Sequence, residues 1–346
     1  MKKWLQLLLV AVVSVLVLAA CGGGEKESNS DSEGSAETDT AKEDEATDGG
    51  ESFTIGATQI VEHPSLDAAY EGFQAAIEDA GLDVTYDHQS AQGDQNNVKP
   101  IADNFVSDDV DLIFANSTPS AVGALNATKD IPILFTSVTD AVDAGLVEAM
   151  DKPGDNITGV VDLHPDGIIK TVEFIDKYFP DAKVGLLYNA GEQNSVTQIE
   201  AVQEAVEGTS LSLAERTVAN SAEVQQAAQT LAGDVDVFYI ITDNTVVSAL
   251  DTVVGVANDQ KIPLIVGEPD SLAKGGFATY GIDYHTIGYR TGEMAVEILK
   301  GDKTPSEIAV EYPPAIQLFI NKGAAEAQGI EWNDDWDNDA EFVETE

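Results

Sequence analysis

The stretch VDLIF at residues 110–114 and the stretch VDVFY at residues 235–239 share one pattern of apolar and acidic residues. Each is a short apolar run followed by a polar turn, NSTPS at 116–120 and TDNT at 242–245. A second pair, DIPIL at 130–134 and KIPLI at 261–265, matches further along each half. A pattern of strand, turn and helix that occurs twice predicts a duplicated α/β domain.

Short apolar runs along the rest of residues 53–330 predict further buried strands. They lie at 53–57, 84–86, 112–115, 133–135, 184–188, 211–214, 237–241, 264–266, 277–280 and 316–320. Stretches with helical spacing, such as 66–77 and 224–231, separate most of them. This alternation is typical of parallel sheets covered by helices on both faces. The predicted fold class is therefore α/β, with two doubly wound parallel-sheet lobes whose strand ends surround one cleft.

The N-terminus indicates export and lipid anchoring. Lys2 and Lys3 precede an apolar run at 4–20, as in a secretory signal peptide. LAAC at 18–21 resembles the bacterial lipobox, which implies that residues 1–20 are removed and that Cys21 is lipidated. We therefore expect a protein anchored at the outer face of the cytoplasmic membrane. The alternative is an uncleaved anchor, although the run is slightly shorter than a typical membrane span.

Two acidic segments flank the predicted lobes. Residues 22–52 hold 11 acidic residues and almost nothing apolar, which together with Cys21 predicts a disordered acidic linker at 21–52. Residues 331–346 form an acidic, tryptophan-containing tail for which the sequence suggests no role. The whole chain has a formal net charge of -45. Nucleic-acid binding is excluded as a function, because it depends on basic surfaces that displace counterions.

A specific resemblance runs through residues 53–330. It rests on IGATQIVEHPSLD at 55–67, GF at 72–73, ANSTP at 115–119, NITGV at 156–160, KVGLLYN at 183–189 and TDNT at 242–245. These stretches resemble the substrate-binding lipoproteins of ABC importers, in particular the tryptophan/tyrosine-binding family with the type I periplasmic-binding-protein fold. The resemblance implies three crossings between the lobes, near residues 161–162, 281–282 and 312–313. Lobe 1 would then comprise 53–161 and 282–312, and lobe 2 would comprise 162–281 and 313–330.

Polar residues at the strand ends are candidate ligand contacts. A helix start that presents backbone N–H groups and hydroxyls favours an anion such as a carboxylate. The alternative is simple helix capping, which contributes about 1 kcal/mol at each turn. The candidates in these openings are Asn116, Ser117, Thr118, Ser137, Thr139, Asp140, Thr242, Asp243 and Asn244. The stretches that carry the resemblance add Gln59, Ile60, Glu62 and Asn189.

An aromatic amino acid would need two further kinds of partner. Its ammonium group needs acceptors, for which Asp283, Glu268 and Asp140 are candidates. Its ring needs flat partners, and Tyr188, Tyr280 and Tyr284 lie near predicted strand ends, although each is as well explained by the core.

Patterns typical of catalysis are missing from the sequence. His63, His88, His164 and His285 are scattered without metal-ligand spacing, and no strand is followed by a Gly-rich phosphate loop. With Cys21 lipidated, no thiol nucleophile remains in the folded part. We therefore expect a binding protein that uses no cofactor or metal.

The predicted function is capture of a small solute, expected to be tryptophan, tyrosine or phenylalanine, by hinge closure of the two lobes. The closed form, expected to be a monomer, would dock on a membrane permease. The alternatives are a nucleoside or other solute bound by the same fold, a surface sensor that signals to a receptor, and an anchored hydrolase.

Overall fold

The computed structural model describes residues 52–345. The predicted signal peptide, Cys21 and the linker up to residue 51 lie outside the described residues. Among residues 52–345, no helix is both long and apolar enough to cross a bilayer.

The first half of the described chain builds a five-stranded parallel sheet in the order β2-β1-β3-β4-β5. Helices connect its strands, so that β3, β4 and β5 are buried throughout. The elements are β1 (Ser52–Gln59), α1 (Pro64–Asp79), β2 (Asp83–Ser90), α2 (Gln95–Ser107), β3 (Leu112–Asn116), α3 (Thr118–Ala127), β4 (Ile133–Val138) and β5 (Ile157–Val161).

The second half builds a seven-stranded sheet in the order β12-β11-β10-β9-β8-β6-β7, parallel except between β10 and β11. Its strands are β6 (Lys183–Tyr188), β7 (Ser212–Thr217), β8 (Val237–Ile240), β9 (Leu264–Val266), β10 (Ala278–Gly281), β11 (Gln317–Asn321) and β12 (Ala340–Val343). Its helices are α4 (Gly167–Tyr178), α5 (Gln193–Val206), α6 (Val224–Ala232), α7 (Asn244–Val247), α8 (Leu250–Gln260), α9 (Asp270–Ala273), α11 (Lys322–Gln328) and α12 (Trp336–Asp339), and α10 (Tyr284–Leu299) follows β10 in the chain.

The predicted fold class is confirmed. Each apolar run of the sequence coincides with or overlaps a strand, and the strands fall into two parallel-sheet halves. Two strands had not been predicted from apolar runs, β5 and β12. The polar Thr158 and Gly159 interrupt the first of them, and the second follows a run of acidic residues.

The connections between the two halves lie side by side. Near the first crossing, the backbone N–H of Val161 donates to the carbonyl oxygen of Glu311 at the third, over 3.0 Å. The hydroxyl of Tyr284, just after the second crossing, donates to Asp162 Oδ2 over 2.7 Å. Arg290 on α10 donates from Nε and Nη2 to the Glu311 carboxylate, over 2.9 and 2.8 Å. These bonds connect all three segments where the chain passes between the halves.

Helix α10 packs directly along α1 on the first sheet. The two helices approach at small residues, since a Cβ atom at Gly288 would overlap the carbonyl oxygen of Ala69. A Cβ atom at Gly72 would likewise overlap the carbonyl oxygen of His285. The backbones are therefore in contact, which is possible only without side chains at these positions.

The acidic tail completes the second sheet. Strand β12 pairs in parallel with β11, and α12 places Trp336 in the core with only 2% of its surface exposed. The Trp336 ring lies 5.1 Å from Tyr178, 5.3 Å from Phe277 and 6.0 Å from Phe174, measured between ring centroids. Residues 336–343 are thus part of the folded unit.

Candidate ligand-binding site

A small cavity lies between the two sheets, where the carboxyl ends of their parallel strands meet. This is the place where open α/β sheets bind ligands. The first sheet contributes residues after β1 and β5 and at the end of β4, and the second sheet contributes residues after β8 and β9, together with the start of α5. Tyr284, at the start of α10, also lines the cavity. The lining is His63, Leu66, Ser137, Thr139, Asp162, Asn194, Thr242, Asn244, Val247, Glu268 and Tyr284.

A second small cavity adjoins the first and shares Asp162, Thr242 and Tyr284 with it. Its other walls are more apolar and aromatic, and they include Ile168, Tyr239, Tyr280, Ile282 and Ile316. The cleft therefore has a polar end and an end suited to an apolar or aromatic group, the usual composition of a small-molecule site.

Asp162 lies at the junction of the two cavities. Its Oδ2 accepts the hydrogen bond from Tyr284, whereas Oδ1 is shielded from solvent and has no hydrogen-bond partner among the described residues. Burial raises the pKa of Asp162 to about 6, and the bond from Tyr284 opposes this rise. One carboxylate oxygen is therefore free to accept a hydrogen bond from a ligand.

Two other titratable groups face the polar cavity. Glu268 is 2% exposed, and both of its carboxylate oxygens accept hydrogen bonds from Ser271. The backbone N–H of Ser271 donates to Oε2 over 2.8 Å, and its hydroxyl donates to Oε1. Burial raises the pKa of Glu268 to about 8, with the nearby Asp270 adding to the rise. Burial lowers the pKa of His63 to about 4, so its imidazole is neutral at physiological pH.

The turn at 242–245 is occupied by the protein's own carboxylates. Glu192 accepts hydrogen bonds from the backbone N–H groups of Asn244 and Thr245, over 3.2 and 3.1 Å, and from both side chains. Asp243 accepts from the backbone N–H groups of Val246 and Asn189. Burial, together with the charge of Glu192, raises the pKa of Asp243 to about 7. The backbone donors expected to be free at this turn are therefore already used.

Gln59 and Asn116 support the cavity wall from behind. Asn116 Nδ2 donates to Gln59 Oε1 over 3.4 Å and to the carbonyl oxygen of Leu66 over 2.7 Å. The hydroxyl of Ser137 donates to Asn116 Oδ1 over 2.7 Å. Ser137 has a φ of 56°, in the left-handed region, so this bond holds a lining residue in an unusual conformation.

The structure places the residues expected at the site in three groups. The cavity lining includes Ser137, Thr139, Thr242, Asn244 and Glu268, and the adjoining cavity includes Tyr280. Buried or half-buried behind the lining are Gln59, Ile60, Asn116, Ser117, Thr118, Tyr188, Asn189 and Asp243. Exposed at the surface are Glu62, Asp140 and Asp283.

The acids Asp140 and Asp283 serve as local caps. Asp140 Oδ1 accepts from the backbone N–H groups of Val142 and Asp143, and Asp283 Oδ1 accepts from that of Thr286. Five lining residues are not among the contacts proposed from the sequence: His63, Leu66, Asp162, Asn194 and Val247. Asp162 lies at a predicted crossing between the lobes, and this is the sequence feature that could have indicated a position in the cleft.

Hydrogen bonds span the cleft and hold the halves together. Gln193 Nε2 donates to the carbonyl oxygen of Asp143 over 2.6 Å. The Thr197 hydroxyl donates to Oδ2 of the same aspartate over 2.5 Å. Deeper in the cleft, Gln198 Nε2 donates to Thr139 Oγ1 over 3.2 Å. We call Asp143, Gln193 and Thr197 the latch. The cleft is closed in this conformation.

Comparison with known proteins identifies the family. Residues 54–343 match the family model for ABC transporter substrate binding proteins. The chain belongs to this family. It is 42% identical to a tyrosine-binding protein of Clostridioides difficile over 295 residues, which cover 84% of this chain and 85% of that one. Substrate-binding proteins of ABC transporters work outside the cytoplasm.

Two solved structures differ in how well they match this substrate-binding protein. A Streptococcus protein in complex with L-Trp is 33% identical, with a TM-score of 0.80. A ligand-free, open substrate-binding protein from Clostridium difficile is 40% identical, with a TM-score of 0.63. Each comparison covers 85% of this chain and 100% of the other chain. The type I periplasmic-binding fold is confirmed, and the conformation is more similar to the Trp complex although the sequence is more similar to the open protein.

Proposed function

We propose that this substrate-binding protein captures an aromatic amino acid outside the cell and delivers it to an ABC permease. The observation that carries the proposal is the closed cleft, with a free carboxylate oxygen of Asp162 where its two cavities meet and Tyr280 in the more apolar cavity. The tyrosine-binding relative and the Trp-bound neighbour support the same class of ligand.

The mechanism that we propose is closure about the three crossings. Lobe 1 (53–161 and 282–312) and lobe 2 (162–281 and 313–330) would separate to admit the ligand and close on it, because only the closed state contacts the ligand from both sides. Cys21 would be diacylated, and the linker would hold a monomeric receptor beside its permease. In this proposal the chain is not an enzyme, since transport energy comes from the importer; among residues 52–345, no acidic, His or Cys cluster suits a metal.

The ligand class is tested by a thermal-shift panel on the full chain in detergent. We expect L-tyrosine, L-tryptophan or L-phenylalanine to raise the unfolding midpoint, because a ligand that binds only the folded state stabilises it by mass action, by about 2.7 kcal/mol at 100 times Kd. Nucleosides, sugars and aliphatic amino acids are the comparison set. The proposal fails if no aromatic amino acid moves the midpoint, and a shift with a nucleoside alone would assign the protein to that ligand class.

The latch should contribute to affinity. Asp143→Ala removes the carboxylate that accepts the hydrogen bond from the Thr197 hydroxyl. Because the latch is exposed, we expect a loss of about 1 kcal/mol, or about fivefold in Kd, mainly through faster ligand dissociation. Stopped-flow fluorescence measures the dissociation rate directly. Asp151→Ala, a change of the same kind at another exposed position, should leave the rate unchanged, and equal rates in both variants would remove the latch from the mechanism.

A further inference from the structure

The polar cavity contains acceptor atoms that lack donors. Asp162 Oδ1 and Asn194 Oδ1 are both buried without a hydrogen-bond partner among the described residues, and both residues line the cavity. The orientation of the Asn194 amide is fixed by its other end, since Nδ2 donates to the carbonyl oxygen of Thr242 over 3.3 Å and lies 3.5 Å from Glu192 Oε2. Its oxygen therefore remains an acceptor.

The charge of the cavity is one-sided. Asp162 and Glu268 line it, whereas no Lys or Arg lines either this cavity or the adjoining one. His63 does not supply a positive charge, because burial keeps its imidazole neutral. Both oxygens of Glu268 accept hydrogen bonds from Ser271, whereas Asp162 accepts one hydrogen bond, from Tyr284, and its Oδ1 has no partner among the described residues. A buried charge without a partner is unfavourable, and a bound cation would remove that cost.

We propose that an organic ammonium group is the charged determinant of recognition, held between Asp162 Oδ1 and Asn194 Oδ1, and that the cleft accepts aromatic amines without an α-carboxylate. The inference rests on the proposed function only in using the same cleft. Since Asp162 also lines the adjoining cavity, an ammonium group at this residue directs an attached ring toward Tyr280 and Tyr284. The ligand class is therefore extended to arylalkylamines.

The carboxylate of an amino acid has weaker partners here. The lining side chains that can donate to it are neutral, because no Lys or Arg lines either cavity and burial keeps His63 uncharged. Hydrogen bonds between a neutral donor and a carboxylate are weaker than ion pairs with an oriented cation. The carboxylate would also be repelled by the charge of Asp162. Removing it should therefore cost little affinity, whereas removing the ammonium group should cost much.

Titration calorimetry at pH 8 on the full chain, with three probes, tests this. L-tyrosine has both charged groups, tyramine lacks the carboxylate, and 3-(4-hydroxyphenyl)propionate lacks the ammonium group. We expect the Kd of tyramine to lie within about tenfold of that of tyrosine, and the propionate to bind at least about 100-fold more weakly. If tyrosine binds and tyramine does not, the inference is wrong and the proposed function stands. If no aromatic amino acid binds but tyramine does, the inference stands and the proposed ligand is wrong.

A variant pair assigns the effect to Asp162. Asp162→Asn keeps the shape of the side chain but removes its charge, and we expect both tyrosine and tyramine to lose about 100-fold in affinity. Asp166→Asn, at an exposed position four residues away, is the matched control and should change neither affinity. Thermal unfolding without ligand confirms that both variants fold. Equal affinity of Asp162→Asn and the parent protein for tyramine, or equal binding of the propionate and tyrosine, would overturn the assignment.

Discussion

Replacing Gly288 with alanine should destabilise the protein by about 2–3 kcal/mol, although alanine is the better helix former by about 1 kcal/mol. The added Cβ would overlap the carbonyl oxygen of Ala69, so α10 and α1 would have to separate. Overlap with backbone cannot be relieved by a rotamer change. Denaturant unfolding of the ligand-free protein, followed by circular dichroism, should show a lower midpoint for the variant.

Gly255→Ala is the matched control for this change. Gly255 lies in the interior of α8, is exposed, and has no atom within 4 Å of an added Cβ. The same substitution in a helix should therefore stabilise the protein here, by up to about 1 kcal/mol. Effects of opposite sign at the two positions would show that the close approach of α1 and α10 is responsible. A stabilised Gly288→Ala variant would contradict the helix contact.

Much of this fold could be predicted because its sheets are parallel and buried. Such strands are short apolar runs, and every run predicted to be a strand is one or overlaps one. Strand β5 was not predicted, because Thr158 and Gly159 interrupt its apolar run and its conformation depends on packing against the neighbouring strand. A Cβ at Gly159 would overlap the carbonyl oxygen of Phe135 on the neighbouring strand, so the position requires glycine. A glycine among polar residues does not predict a strand from sequence alone.

The binding site was less accessible to sequence analysis. Strand ends predicted its location, and Ser137, Thr139, Thr242, Asn244 and Glu268 do line it. The sequence could not show that the Glu192 carboxylate accepts hydrogen bonds from the N–H groups after β8. Glu192 precedes Asn244 by 52 positions and Thr245 by 53. The same residue types cap helices and contact ligands. Only the position of a further group, here the Glu192 carboxylate, shows which of the two a given turn does.

His63 and Asp162 line the cavity although the sequence does not indicate it. A histidine before a proline is most simply a turn residue, and an aspartate at a crossing is most simply a surface residue. In the closed conformation, burial lowers the pKa of His63 and raises that of Asp162.

The acidic tail gives the clearest case in which composition conceals structure. Residues 331–346 hold eight acidic residues, a composition usual in disordered ends. The aromatic residues of this segment nevertheless make specific contacts. The ring centroids of Trp332 and Trp336 are 5.2 Å apart, and Lys322 lies over the rings of both Trp332 and Phe342. Asp337 accepts a hydrogen bond from Lys322 over 2.9 Å. The acidic side chains project outward while the aromatic ones cover the end of the sheet.

Trp336→Ala should therefore destabilise the protein by about 3–5 kcal/mol, because it empties a space enclosed by Phe174, Tyr178 and Phe277. Trp336→Phe should cost much less, since it keeps an aromatic ring and removes an indole N–H that is buried without a partner. Phe342→Ala is the control within the tail, because that ring is 40% exposed. Denaturant unfolding should rank the losses as Trp336→Ala, Trp336→Phe and Phe342→Ala. If Trp336→Ala and Phe342→Ala lost equal stability, Trp336 would have no special role in anchoring the tail.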